Sequence, residues 1–222
     1  MAVYPYGPVR PRVRFSRTEV RHILLAMAVL IFAFAIVLAG GLARIAADAS
    51  LLLGAGIQAA VAVPTAFLLH ELGHKIVAQG YGLPAEFRAW TFGLFFALFT
   101  AFVGFLFAAP GAVVIGGVAD QKSYGRISAA GPVVNLAIGG VFTFFFFLLL
   151  LAGYDIPIVG TVSLLSLTFI VAFVNVFLGV FNMLPIPPLD GSKVLRWDLR
   201  VYLLLLIPLV ALLILVGSRL FV

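Results

Sequence analysis

The stretch LLHELGHKIV, residues 68 to 77, places two histidines, a glutamate and a lysine inside a run that is otherwise apolar. Each ionisable side chain costs several kcal/mol to place in hydrocarbon, so such residues are rare there and usually functional. They also need polar partners, which other parts of the chain must supply. This stretch therefore predicts a buried polar site inside a bundle of apolar helices.

The composition agrees with a membrane environment. The chain has 222 residues, of which 64% are hydrophobic and 10% charged, and its mean hydropathy is +1.23. A soluble fold could not bury so much apolar surface. The 14 basic residues outnumber 8 acidic ones, but they lie between apolar segments, as orienting charges do, so we expect membrane lipid and not nucleic acid as their neighbour. The chain lacks cysteine, so any metal must be held by nitrogen and oxygen atoms.

The predicted fold is an all-α polytopic membrane protein with about five transmembrane helices and a re-entrant, partly β, membrane-embedded segment. Each of the five is near the ~20 residues that a bilayer core demands. We interpret residues 1–222 as one membrane-embedded domain, with 1–22 as a cytoplasmic basic arm and 84–118 as the re-entrant segment. The predicted spans are 23–43, 56–80, 126–152, 158–182 and 200–221.

Charge placement favours a segment that returns to its own side over one that crosses. If residues 91–117 return, all 14 basic residues except Arg44 and Arg219 share one face of the membrane. The positive-inside rule then places the N-terminus and the site toward the cytoplasm and the C-terminus outside. Within this segment GAVVIGG, residues 111–117, favours a short strand, and a broken helix is the alternative.

The motif HELGH has the spacing of a metal site. His70 and His74, four residues apart on a helix, present both imidazoles on one face and can bind one ion. Glu71 would lie near the same ion without binding it, where it could take a proton from the attacking water. The alternative is a set of polar residues paired across a helix bundle with no metal.

A catalytic zinc normally takes three protein ligands. His22 lies in the basic arm and is more typical of an interfacial histidine. Of the carboxylates, four lie near the cytoplasmic face among basic residues (Glu19, Glu86, Asp120, Asp198) and two lie in the outer loops (Asp48, Asp155). Asp190 remains, just after prolines that must end or unwind the preceding helix. An Asp that caps the next helix is the alternative.

Three motifs together resemble the site-2 protease family of intramembrane zinc metalloproteases, peptidase family M50. They are HELGH at 70–74, AAGPVVN at 129–135 and NMLPIPPLDG at 182–191. The resemblance implies that His70, His74 and Asp190 bind one Zn²⁺ per chain and that Glu71 is the general base and acid. It also implies that Asn182 positions or polarises the scissile carbonyl and that Asn135 lies near the site, with a possible contact to substrate.

The predicted function is hydrolysis of a peptide bond within or near the transmembrane segment of a single-span membrane protein. A helical substrate must first become extended, and a strand edge at Val113, Val114 and Ile115 could hold it by strand addition. Water is expected to reach the site from the cytoplasmic face, where Lys75 follows the motif. The alternatives are a transporter or ion-binding channel that uses the same residues, and a catalytically inactive relative. Many members of the family that the motifs resemble carry a PDZ domain between the later spans or a regulatory domain at the C-terminus, and we expect neither in this chain.

Overall fold

The computed structural model describes residues 13–221, and these residues contain five helices long and apolar enough to cross a membrane. Only short strands accompany them in this part of the chain. The predicted class, a polytopic helical membrane protein with five spans, is therefore confirmed. The five helices are Arg17–Leu38, Leu51–Gly80, Gln121–Ala152, Leu164–Asn182 and Leu199–Gly217.

The first span, α1 (Arg17–Leu38), begins six residues before its predicted start. The side chain of Ser16 caps this helix by accepting a hydrogen bond from the backbone N–H of Glu19 (3.1 Å). Residues 17–22 thus belong to the helix and not to an extended arm, and residues 1–12 of the predicted arm lie outside the described residues. Beyond α1 the chain turns through two glycines into a short helix, α2 (Leu42–Ala47).

The second span is interrupted by one turn of π-helix. It consists of α3 (Leu51–Val63), the π turn (Pro64–Leu68) and α4 (Leu69–Gly80). Pro64 has no N–H to continue the α-helical pattern, and its carbonyl accepts from the N–H five residues later. The wide turn lies directly before the HELGH motif, which is helical as predicted.

The segment predicted to be re-entrant, residues 84–118, folds as two strands separated by a helix. They are β1 (Ala85–Ala89), α5 (Thr91–Val103) and β2 (Gly111–Ile115), and the strands pair antiparallel with Phe87 opposite Val113. Because β1 and β2 are paired, the chain that leaves the end of β1 returns to the same place at the start of β2. The predicted strand in 111–117 is present as β2, and the apolar run before it is the helix α5, which packs on α1.

The third span, α6 (Gln121–Ala152), is the longest helix among the described residues and starts five residues earlier than predicted. Asp120 caps it by accepting from the N–H of Ser123 (2.7 Å). Hydrogen bonds from the hydroxyl and backbone of Ser123 also lower the pKa of Asp120. The helix α6 packs against α4 and against most of the C-terminal half, so it joins the two parts of the bundle.

The C-terminal half holds the two remaining spans. A small hairpin, β3 (Pro157–Val159) and β4 (Val162–Ser163), precedes α7 (Leu164–Asn182), which therefore starts later than the predicted residue 158. As expected from the prolines that follow, α7 ends at Asn182. The chain then forms α8 (Asp190–Trp197) and α9 (Leu199–Gly217).

The chain has no cysteine, so its topology can be tested with single introduced cysteines. We expect Arg88→Cys in β1 and Lys122→Cys at the start of α6 to react with an impermeant maleimide from the same side of the membrane, because β1 and β2 are paired. Asp155→Cys, on the loop at the other end of α6, serves as the control and should react from the opposite side. Labelling of positions 88 and 122 from opposite sides would contradict a re-entrant segment.

Candidate metal centre

The two histidines of the motif lie on the buried face of α4. His70 and His74 are 2% and 7% exposed, and their rings meet edge to face. The two Nε2 atoms are 3.0 Å apart. One helical turn thus brings both imidazoles to a single point inside the bundle, as their spacing predicts.

Asp190 reaches the same point from the other half of the chain. Its Oδ2 lies 3.0 Å from Nε2 of His74 and 3.4 Å from Nε2 of His70. Asp190 is the first residue of α8, whose N-cap is Leu189 without a side-chain hydrogen bond. The carboxylate therefore faces the histidines and does not cap the helix. Gly191 lets the chain approach this closely, because a Cβ there would overlap the carbonyl of Met183.

Hydrogen bonds at the far side of each ring fix which nitrogen faces the centre. His70 Nδ1 lies 2.6 Å from Oδ1 of Asn135, and His74 Nδ1 lies 2.7 Å from the carbonyl oxygen of Ile127. Both partners are acceptors, so each Nδ1 carries the proton and each neutral ring turns the lone pair of Nε2 inward. Two lone pairs and a carboxylate oxygen then face one another and repel unless a cation lies among them.

These three donors fit zinc. Zinc takes imidazole nitrogen and carboxylate oxygen at about 2.0–2.2 Å in tetrahedral sites, which places neighbouring ligand atoms about 3.3–3.5 Å apart. The ligand atoms of His70, His74 and Asp190 all lie within 4.8 Å of one another, and the three residues are buried. Three protein ligands leave one position for water or substrate, as in catalytic zinc sites.

A glycine on α6 makes room for the centre. A Cβ at Gly131 would lie 2.5 Å from the Nε2 atoms of both His70 and His74. Real Cβ atoms do not approach other heavy atoms so closely, so any larger residue would displace the rings. The AAGPVVN motif therefore contributes two features: Gly131, which permits the close approach of α6 to α4, and Asn135.

Glu71 lies beside the centre and is not one of the three ligand residues. Its Oε2 accepts a hydrogen bond from the backbone N–H of Val113 in β2 (2.9 Å). The helix α4 thus directs two side chains to the ion position and the adjacent carboxylate toward the strand. In this arrangement the carboxylate of Glu71 is bonded to the edge of β2 and is not among the three ligand residues.

Asn135 is completely buried and lies behind His70. Besides accepting from His70, it donates from Nδ2 to the carbonyl of Ala66 (2.9 Å) and to Oδ1 of Asn175 (3.2 Å). Asn175 in turn donates to the hydroxyl of Thr65 in the π turn (3.2 Å). This geometry favours a role in orienting His70, and a contact between Asn135 and substrate stays a prediction.

The other predicted site residues lie at the end of α7 and in β2. Asn182 is the last residue of α7, and its Nδ2 donates to the carbonyl of Leu178 (3.1 Å). Its role at a scissile carbonyl stays a prediction. Val113, Val114 and Ile115 lie in β2, where only Val114 is mostly exposed. Their contact with substrate also stays a prediction.

Several residues of the site were not expected from the sequence. Asn175 is a polar residue in the middle of an apolar helix, and this position was a signal that sequence analysis overlooked. Lys193 donates to Oδ1 of Asp190 (3.3 Å), the oxygen that faces away from His74. Lys75 and Glu19, expected at the cytoplasmic surface, are both buried and bond to each other. No spacing rule links residues 56 positions apart, so that pair could not be predicted.

Fold and site together define a class: a multi-pass membrane protein with the side chains of a zinc metalloprotease. Comparison with known proteins agrees. The model of peptidase family M50 matches residues 58–201. The chain is 42% identical over 158 residues to "Putative zinc metalloprotease MJ0611" of Methanocaldococcus jannaschii, an alignment that covers 68% of this chain and 75% of that protein.

A second relative is "Putative zinc metalloprotease Rip3" of Mycobacterium tuberculosis, 35% identical over 147 residues. That alignment covers 65% of this chain and 31% of the longer relative. "Zinc metalloprotease MJ0392" of Methanocaldococcus jannaschii is 33% identical over 131 residues, 58% of this chain and 30% of that protein. No solved structure gives a significant match. The chain belongs to peptidase family M50.

Substitution of Gly131 tests the close approach of α6 to the two imidazoles. We expect Gly131→Ala to lower the zinc affinity of the purified protein by at least about 10-fold, because the new methyl group displaces both ligands. Gly140→Ala on the same helix is the matched control, since a Cβ there meets only Leu212 at 3.9 Å. Competition with a chelating dye measures the affinity. Equal affinities of the two variants would contradict the close approach.

Substitution of Asn135 tests the orientation of His70. Asn135→Leu keeps the approximate volume and removes the acceptor for His70 Nδ1, so we expect a loss of roughly 10- to 100-fold in zinc affinity. Thr143→Val, two turns further along α6, also removes a buried hydrogen bond but lies away from the histidines, and should leave zinc affinity unchanged. A wild-type affinity in Asn135→Leu would assign Asn135 another role.

Proposed function

We propose that this chain is an intramembrane zinc metalloprotease that hydrolyses a peptide bond within or near the transmembrane segment of a single-span membrane protein. The observation that carries the proposal is the convergence of His70, His74 and Asp190 on one buried point, with Glu71 beside it. All of these side chains lie among helices that are apolar enough to span a membrane. Family membership supports peptide hydrolysis as the reaction.

The residues divide the chemistry among them. His70, His74 and Asp190 would hold the zinc ion, which supplies Lewis acidity to the attacking water and to the scissile carbonyl. Glu71 accepts the proton of the water and later donates it to the leaving nitrogen. Asn182, at the end of α7, has an amide group that can donate to the carbonyl oxygen of the substrate. Asn135 holds His70 in the tautomer that the site requires.

The edge of β2 is suited to an extended peptide. The paired strands β1 and β2 are called the β1–β2 hairpin below. At its ends the N–H of Trp90 donates to the carbonyl of Pro110 (3.0 Å) and the N–H of Gly116 donates to the carbonyl of Pro84 (2.8 Å). Even-numbered residues of β2 therefore bond to β1, and the backbone groups of Gly111, Val113 and Ile115 point away from it. Glu71 accepts from the N–H of Val113, so a substrate that pairs with this edge takes over that bond and lies beside Glu71. Because a helical segment cannot pair in this way, helix-breaking residues in the substrate should favour cleavage.

The orientation in the membrane follows from the charges. Basic residues cluster at the end of the bundle that holds the HELGH motif, and the positive-inside rule assigns this end to the cytoplasm. The N-terminus and the metal centre then face the cytoplasmic side, from which water enters. The apolar surface of the five spans contacts membrane lipid.

Three variants test the proposed function with purified protein in detergent and a single-span substrate. Wild type should contain zinc and cleave. Glu71→Gln should keep zinc and lose roughly 10²–10⁴-fold in rate, because the proton acceptor is absent while the ligands remain. Asp190→Ala should lose zinc as well as activity. Glu86→Gln, which removes a half-buried carboxylate of β1 that bonds to Arg88, is the control for Glu71→Gln and should cleave normally.

The possible outcomes separate the functional classes. Cleavage by wild type that persists in Glu71→Gln would contradict the role of Glu71. A folded wild-type protein that binds no zinc would contradict the metal centre. Zinc binding without cleavage of any single-span substrate would instead favour the inactive relative or the ion-binding alternative.

A further inference from the structure

Outside the metal centre, the described residues contain one ion pair that is almost completely buried. Glu19 of α1 is 0% exposed and Lys75 of α4 is 1% exposed. Both carboxylate oxygens lie 2.8 Å from Nζ. Removing two charges from water is costly, and apolar side chains of similar volume would join two helices at least as well. The pair therefore calls for an explanation beyond the joining of α1 to α4.

The bonds that the pair makes to β1 give that explanation. Oε1 of Glu19 accepts from the backbone N–H of Phe87 (2.9 Å), and Nζ of Lys75 donates to the carbonyl of Ala85 (2.7 Å). Nδ1 of His22 lies 3.2 Å from the N–H of Ala89 and accepts from it. Three successive outward-facing residues of β1 are thus bonded by side chains, much as a neighbouring strand would bond them.

The β1–β2 hairpin touches Glu71 on its other edge. Phe87 is the cross-strand partner of Val113, and the N–H of Val113 donates to Glu71. Two glutamates therefore hold the two edges of the hairpin at the same rung. Lys75 lies one turn beyond Glu71 on α4, so the anchor of β1 and the side chain that faces β2 belong to one helix. The position of β2 relative to Glu71 is set through this connection.

We propose that Glu19 and Lys75 are positioning residues that hold the β1–β2 hairpin against α4 and so fix where a peptide on β2 lies relative to Glu71 and the metal centre. This inference rests on the proposed function. The charged pair supplies an acceptor for the N–H of Phe87 and a donor for the carbonyl of Ala85. Apolar side chains could supply neither. Loss of these two bonds lets the β1–β2 hairpin move while the three metal ligands stay in place.

A charge swap separates this role from simple attraction between helices. Glu19→Lys with Lys75→Glu keeps an ion pair between α1 and α4. It also places a donor opposite the N–H of Phe87 and an acceptor opposite the carbonyl of Ala85. We expect the swapped protein to bind zinc like wild type and to lose roughly 10- to 100-fold in kcat, with a smaller change in KM, because bound peptide is misplaced. Mass spectrometry of the products should show cleavage at altered or additional bonds.

A matched control and a second variant keep the test decisive. The control swaps the half-buried pair of the same strand, Glu86 and Arg88, and should cleave at the wild-type bond and rate. If the first swap fails to fold, Glu19→Leu with Lys75→Met removes both charges at similar volume and both bonds to β1. It should fold, bind zinc and show the same change in kcat and in cleavage position. Wild-type kcat and products in the variant that folds would overturn the proposal.

Amide hydrogen exchange gives a readout that does not depend on activity. We expect residues 85–89 and 111–115 to exchange at least about 10-fold faster in the variants than in wild type, while the motif helix α4 keeps its protection. An inactive, zinc-loaded wild-type protein would overturn the proposed function, and the exchange rates would still decide whether the pair anchors the β1–β2 hairpin. Unchanged exchange in both variants would overturn the anchor itself.

Discussion

The mutual repulsion of two imidazole lone pairs and a carboxylate inside an apolar bundle is the constraint on which the structure depends. His70, His74 and Asp190 meet there because a cation relieves that repulsion. Much of the surrounding structure serves to keep them together. The far nitrogens of both rings are held by acceptors, the glycine on α6 admits the rings, and the unwound chain after α7 delivers the aspartate. Each of these features acts on the position of one or more of the three ligand residues.

Polar groups within the membrane are satisfied by a continuous set of partners. From His70 the hydrogen bonds run through Asn135 and Asn175 to Thr65, whose hydroxyl donates to carbonyls of the preceding helical turn. A backbone freed by a π turn needs such partners in hydrocarbon, because water is absent. The orientation of His70 and the hydrogen bonding of the backbone near the π turn therefore depend on the same side chains. This overlap explains why polar residues occur in the middle of otherwise apolar spans.

The sequence predicted the parts of the molecule that follow from local rules. The motif spacing predicted the shared face of His70 and His74, the prolines predicted the end of α7, and β-branched residues between glycines predicted β2. Sorting the few carboxylates by position predicted Asp190. The predicted starts of α1 and α6 were wrong by several residues, because the capping side chains of Ser16 and Asp120 determine where these helices begin. The Glu19–Lys75 pair and the hydrogen bonds of Asn175 depend on how distant helices pack, and neither periodicity nor composition carries that information.

The π turn at Pro64–Leu68 constrains the length of the second span as well as its shape. An α-helix advances about 100° per residue, so one additional residue in a helix rotates everything after it by about that angle. The metal-binding face of α4 therefore owes its direction to the register that the wide turn imposes. If the turn closed to a regular helix with no residue lost, HELGH would survive letter for letter while its imidazoles swung away from Asp190. A chain with one residue fewer here and a regular turn in place of the π turn would direct the same face of the motif at the aspartate, so the residue count and the kind of turn must change together.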